Sequence, residues 1–160
     1  MGKQQRLVST ANDYVLHLPA IAPATIPEDV VARKGNKLAW PILVGVSIAQ
    51  VEIPIGKWRA PHYHTNANEL SVIVRGTARM GLITPQNDEF QVDLQEGDCV
   101  FFPMGWTHWL RNTGTVAVQT YFNYSHEQPV TVELANVVAH FKAAEKDLPL
   151  KGRSGFTETE

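Results

Sequence analysis

Two histidines one residue apart, His62 and His64, and a carboxylate five positions further on, Glu69, stand in the stretch GKWRAPHYHTNANELSVIVRG at 56–76. Alternate side chains of a β-strand share a face, so His62 and His64 can enter one cavity while Tyr63 points away. Two imidazoles and a carboxylate aimed at one point suit a divalent first-row transition metal. A second stretch, GDCVFFPMGWTHWLRN at 97–112, carries His108 beyond the turn Pro103-Met104-Gly105. There it opens a strand that can return to the same cavity. Three neutral imidazoles and one carboxylate leave two adjacent positions open on an octahedral ion, which suits a small bidentate acid or dioxygen.

The elements that must position these groups read as strands. Residues 43–55 are rich in Val and Ile with Gln50 and Glu52 alternating, and Pro54 and Gly56 end the run. β-Branched or alternating runs follow at 70–75, 77–84, 89–94, 99–102, 108–111 and 116–124, with turn chemistry at 85–88 and at Gly97-Asp98. Many short strands with no helix between them predict an all-β barrel or sandwich. Residues 133–146 place Leu134, Val137, Val138, Phe141 and Ala144 on one face, the spacing of a single amphipathic helix. The barrel is expected over 41–128, with a C-terminal helical segment at 129–150 packed on it. Residues 1–40, spaced by Pro19, Pro23 and Pro27, read as an extended arm laid on the barrel or on a neighbouring subunit, and residues 151–160 as a tail. The tryptophans are expected between the two sheets, except that Trp109, alternating with His108, faces away from the metal. Cys99 is expected to be a small buried hydrophobe.

With 160 residues the chain is long enough for one domain with a substantial core and too short for two ordinary ones. Lysine and arginine total 14 against 16 acidic residues, and no long basic run occurs, so the footprint of a nucleic-acid binder is missing. A single cysteine excludes an intrachain disulfide framework and fits a reducing compartment. No long apolar run suggests a signal peptide or a membrane span, so the expected location is the cytoplasm.

The two stretches together resemble the cupins. The pattern G-x5-H-x-H-x4-E-x6-G is met at Gly56, His62, His64, Glu69 and Gly76, and its companion G-x5-P-x-G-x2-H-x3-N at Gly97, Pro103, Gly105, His108 and Asn112. The resemblance implies a double-stranded β-helix, the jelly-roll cupin barrel, with His62, His64, Glu69 and His108 holding one metal ion. Within the cupins the run Trp58-Arg59-Ala60-Pro61-His62-Tyr63-His64 is similar to the oxalate decarboxylase and germin branch. That likeness implies manganese as the usual ion, with Fe, Ni, Zn or Co as alternatives. It also implies oxalate or another small carboxylic acid as substrate, with dioxygen as a possible co-substrate; the N-terminal arm, which needs a surface to lie on, points to a homo-oligomer, dimer or higher. In that branch the arginine three residues before the first ligand contacts the substrate carboxylate, and Arg59 holds this position.

The chain departs from the branch in one loop. Oxalate decarboxylases carry a lid, Ser-Glu-Asn-Ser, whose glutamate handles the proton, and the corresponding region here is Ser125-His126-Glu127-Gln128-Pro129. Gln128 falls opposite the lid glutamate, so a shift of register in the lid is needed to let Glu127, the candidate proton donor, or His126 serve. The expected function is an oxalate-decarboxylase-like metal cupin. The alternatives are an Fe or Ni dioxygenase or isomerase acting on a larger substrate, and a non-catalytic module that binds a small acid or metal.

Overall fold

The computed structural model describes residues 11–145. Its strands are β1 (Ala24–Ile26), β2 (Val30–Gly35), β3 (Ser47–Ile53), β4 (Trp58–His64), β5 (Glu69–Arg75), β6 (Ala78–Ile83), β7 (Glu89–Leu94), β8 (Cys99–Phe102), β9 (Thr107–Asn112), β10 (Val118–Tyr124) and β11 (Thr131–Glu133), followed by helix α1 (Leu134–Glu145). Two antiparallel sheets, β1-β2-β3-β10-β5-β8 and β11-β4-β9-β6-β7, face each other as a jelly-roll barrel. Alternation in β3 shows why: Ser47, Ala49, Val51 and Ile53 are buried while Ile48, Gln50 and Glu52 face outward. Ile53, Ile73, Phe102, Leu110 and Phe122 meet between the sheets in one apolar cluster. That cluster fixes the strand registers, because slipping one strand by a residue would turn its apolar set to solvent.

Residues 24–35 of the expected arm belong to the larger sheet. Val30 and Ala32 point inward, and β2 pairs with β3 from Val31↔Glu52 to Gly35↔Ile48. Its partner β1 is reached through a turn in which Glu28 and Asp29 take φ of 68° and 59°. Helix α1 follows β11 directly and turns Leu134 and Val137 toward the barrel. The remainder of the arm at 1–10, the end of the expected helical segment and the tail lie outside the described residues. Among the described residues no helix is long and apolar enough to cross a membrane.

Two further expectations are corrected. Cys99 is exposed, since the alternation of β8 turns Val100 and Phe102 inward and leaves Cys99 and Phe101 outside. Trp58 and Trp109 do not fill the space between the sheets either. They meet edge to face at 6.3 Å on the outer side of the smaller sheet, and Trp109 faces away from the histidines as its alternation requires. The Trp109 ring lies across Gly81, where an added Cβ would stand 2.1 Å from a ring carbon. Gly81→Ala should therefore displace the Trp109 ring and destabilise the protein by about 1–3 kcal/mol, the usual cost of overpacking. Urea unfolding followed by tryptophan fluorescence checks this, and an unchanged midpoint would contradict it.

Candidate metal centre

An irregularity in β4 puts the chemistry on one face. Arg59 pairs with Leu110 and His62 with His108, so three steps along β4 oppose two along β9. The extra residue is a β-bulge. His108 and Leu110 share the inner face of β9, and the bulge brings Arg59 and His62 onto that face despite their odd spacing. His64 follows at the regular interval of two. Glu69 enters from the opposite sheet at the start of β5, across from Phe102 on β8 and Tyr124 on β10.

His62, His64, Glu69 and His108 are all buried, and one ligand atom from each lies within 4.8 Å of the others. The hydrogen bonds fix which atoms these are. His62 Nδ1 lies 2.8 Å from the Ala60 carbonyl and His108 Nδ1 lies 3.0 Å from the Trp106 carbonyl. A carbonyl only accepts, so each Nδ1 carries the proton and each Nε2 presents a lone pair to the interior. Both Nε2 atoms are buried without a hydrogen-bond partner. Orphaned acceptors of this kind are uncommon in a closed interior, and a cation between them accounts for both. His64 Nε2 lies 2.9 Å from Glu69 Oε2, while its Nδ1 has the Thr131 hydroxyl at 3.2 Å, so Thr131 can accept the His64 Nδ1 proton when Nε2 binds a metal. Ser71 Oγ donates to the other Glu69 oxygen at 2.7 Å. The His108 ring is stacked on Phe102, with centroids 4.1 Å apart.

Burial, reinforced by the positive charge of Arg59, holds the His62 pKa well below its ordinary value of 6.5. Burial pushes the Glu69 carboxyl up, but the His108 and His64 imidazoles beside it outweigh that and hold Glu69 well below 4.5. A neutral imidazole and an ionised carboxylate are the forms that ligate a divalent ion. Tyr124 lies edge-on to His64 at 5.0 Å. Burial, then the Glu69 charge, raise its hydroxyl well above 10.0. Asn112, the last position of the second motif, serves the fold: its side-chain nitrogen donates to the Ile53 and Val116 carbonyls and its oxygen accepts the Gly114 N–H. At Gly105, φ of 81° lets the turn before β9 send its N–H to the His64 carbonyl at 2.8 Å, which ties the His108 strand to the His64 strand.

Arg59 is buried within this face at 5% exposure. Its guanidinium is engaged inside the protein, where Nη1 and Nη2 donate to Glu133 Oε2 and Oε1 at 2.8 and 2.6 Å. Glu127 stands elsewhere, in the loop after β10. Its carboxylate accepts the Gly45 N–H at 2.9 Å and its carbonyl accepts Lys37 N–H at 2.7 Å. The same loop is held by Asn66, which donates to the Gln128 carbonyl and accepts the Val130 N–H. Backbone N–H donors at Glu127 and Gly45 lower the Glu127 pKa, so in this conformation it is an acceptor and a poor source of protons. Thr131, Ser71, Tyr124 and Glu133 were not singled out from the sequence. For Thr131 and Glu133 the usable signal was the two-residue alternation in Thr131-Val132-Glu133, which lies where a helix start was expected.

A jelly-roll barrel with three imidazoles and a carboxylate converging from facing sheets defines a β-barrel with a candidate metal site. The cupin family profile matches residues 20–149, and the chain belongs to that family. Germin-like protein subfamily 1 member 10 of Arabidopsis thaliana is 29% identical over 140 residues, 85% of this chain and 63% of that protein. Germin-like protein subfamily 2 member 2 of the same plant is 28% identical over 131 residues, 82% of this chain and 58% of that protein. The chain thus spans less than two thirds of these relatives. Among solved structures, the Lactobacillus farciminis oxalate decarboxylase formate complex matches with a TM-score of 0.75 at 20% identity, over 85% of this chain and 40% of that one. Recombinant oxalate oxidase in complex with glycolate matches with 0.72 at 19% identity, over 80% and 66%. At such identities the likeness is one of fold.

Replacing Glu69 by Gln removes the anionic ligand while keeping its shape. Metal content by mass spectrometry should fall from near one ion per chain to less than about a tenth of that, in line with the cost of losing a charged ligand; full occupancy would refute the assignment. The metal-free protein should also be acid-sensitive. His62 and Glu69 both titrate lower in the folded than in the unfolded chain, so the unfolded chain takes up protons first as pH falls. Their contribution is complete above 6.5. It is lost through His62 below that value and through Glu69 below 4.5. Thermal unfolding of metal-stripped protein should show Tm dropping across this window, and a flat profile would contradict it.

Proposed function

We propose that this cupin binds one divalent ion, manganese in preference to Fe, Ni, Zn or Co, and acts on oxalate or a similar small carboxylic acid. The observation that carries the reading is the pair of unpartnered Nε2 atoms of His62 and His108 aimed into the same buried space as His64 and Glu69. A divalent ion held there supplies a Lewis acid that polarises a carboxylate oxygen. His62, His64 and His108 keep it oriented through their fixed rings, and Glu69 leaves the centre with a residual positive charge that favours an anion. The bulge sets the buried Arg59 on the same face, where its charge is shared with Glu133. Phe102, stacked on His108, and Leu110 on the inner face of β9 give the buried space an apolar lining. The oxalate decarboxylase and oxalate oxidase among the structural neighbours support a small acid as the ligand.

A second reading is binding without turnover, favoured by the loop after β10. Gln128 has no acidic proton to donate, and Glu127 is tied to Gly45. For Glu127 to serve as the proton donor, this loop has to exchange its contacts with Gly45, Lys37 and Asn66 for the barrel mouth. Incubating manganese-loaded protein with labelled oxalate separates the readings. Formate with carbon dioxide supports decarboxylation, hydrogen peroxide with two carbon dioxides supports oxidation by dioxygen, and retained oxalate binding without products supports the binding module. Absence of both binding and turnover would overturn the proposal.

A further inference from the structure

Arg59 and Glu133 form an ion pair inside the barrel wall, with side chains 6% and 19% exposed. β11 sets Glu133 directly across from His62 and Thr131 directly across from His64. Directly opposed residues project to the same side of a sheet. Thr131 confirms the orientation through its contact with the His64 ring. Glu133 therefore faces the inner side with the histidines, and through the bulge Arg59 meets it there.

We propose that Glu133 is the specificity determinant of the centre: by filling the Arg59 fork it weakens the hold on a second carboxylate, so that among the small acids the centre takes, a monoanionic chelating acid of the 2-hydroxy or 2-oxo type ranks above dianionic oxalate. This rests on the reading of the centre as an acid-binding metal site. Two parallel N–H···O bonds are the strongest mode in which a guanidinium takes a carboxylate, and Glu133 already takes both. A dianion can claim that fork only by displacing Glu133, which leaves an unpaired carboxylate in a largely enclosed wall. Charge points the same way. A divalent ion and Glu69 leave one positive charge; Arg59 adds a second and Glu133 cancels it. A monoanion then neutralises the interior, whereas a dianion leaves a buried negative charge. The two open positions on the ion remain available to one carboxylate oxygen and a neighbouring hydroxyl or carbonyl oxygen.

Calorimetric titration of manganese-loaded protein with oxalate and with glycolate tests this. Glu133→Gln should shift the affinity ratio toward oxalate by roughly tenfold or more, with metal content unchanged. The double variant Arg59→Gln/Glu133→Gln keeps the interior charge and should return the ratio to within about threefold of the original. Should Glu133→Gln fail to fold, Glu133→Asp withdraws the carboxylate by one methylene and should move the ratio in the same direction by roughly threefold. A purely structural role for Glu133 would alter stability or metal content without moving the ratio. Both acids binding with an unchanged ratio in the folded variants would overturn the specificity role and leave the acid-binding reading intact. Failure of either acid to bind any form at millimolar concentration would overturn the acid-binding reading and the specificity role with it.

Discussion

A carboxylate enclosed in an apolar barrel costs several kcal/mol unless charge or hydrogen bonds answer it, and Glu69 is enclosed to 1% exposure. Much of the interior around it is arranged as that answer. Ser71 donates to one oxygen and His64 to the other, with His108 Nε2 3.6 Å from the latter. The two remaining imidazole lone pairs point into the same space with nothing to accept from. Without a cation this is a costly core. A cation there would give the orphaned lone pairs a partner, so the same residues that weaken the metal-free protein would favour its binding.

The fold supplies this arrangement through features of different reach. His62 and His64 are placed by simple alternation on β4, while Glu69 and His108 arrive from strands that pair on opposite sheets. Backbone carbonyls at Ala60 and Trp106 lock two of the rings, and each lies two residues before the histidine it orients. The tautomer is thus written into local strand geometry. Arg59 and Glu133 need tertiary structure to meet, since they lie 74 positions apart in the chain.

That difference explains what was legible in the sequence. The ligand set could be read because His-x-His obeys the two-residue period and the turn at Gly105 announces the strand of His108. The barrel could be read because its strands are short, β-branched and separated by turn residues. The inward direction of Arg59 could not, because three-residue spacing from His62 predicts opposite faces and only the bulge reverses it. Glu133 was hidden by the helix that starts one residue later, and β2 by the prolines around it, although Val30 and Ala32 alternate as a strand should. Cys99 misled because the apolar run 99–102 looks continuously buried, whereas β8 is an edge strand with one open face.

Three imidazoles and one carboxylate converge on a space that one ion would fill. X-ray absorption at the metal edge of the manganese-loaded protein measures that shell directly. Three imidazole nitrogens with the remaining donors all oxygen, at one ion per chain, is the predicted result. A shell with no more than one imidazole, or with sulfur from Cys99, would contradict it.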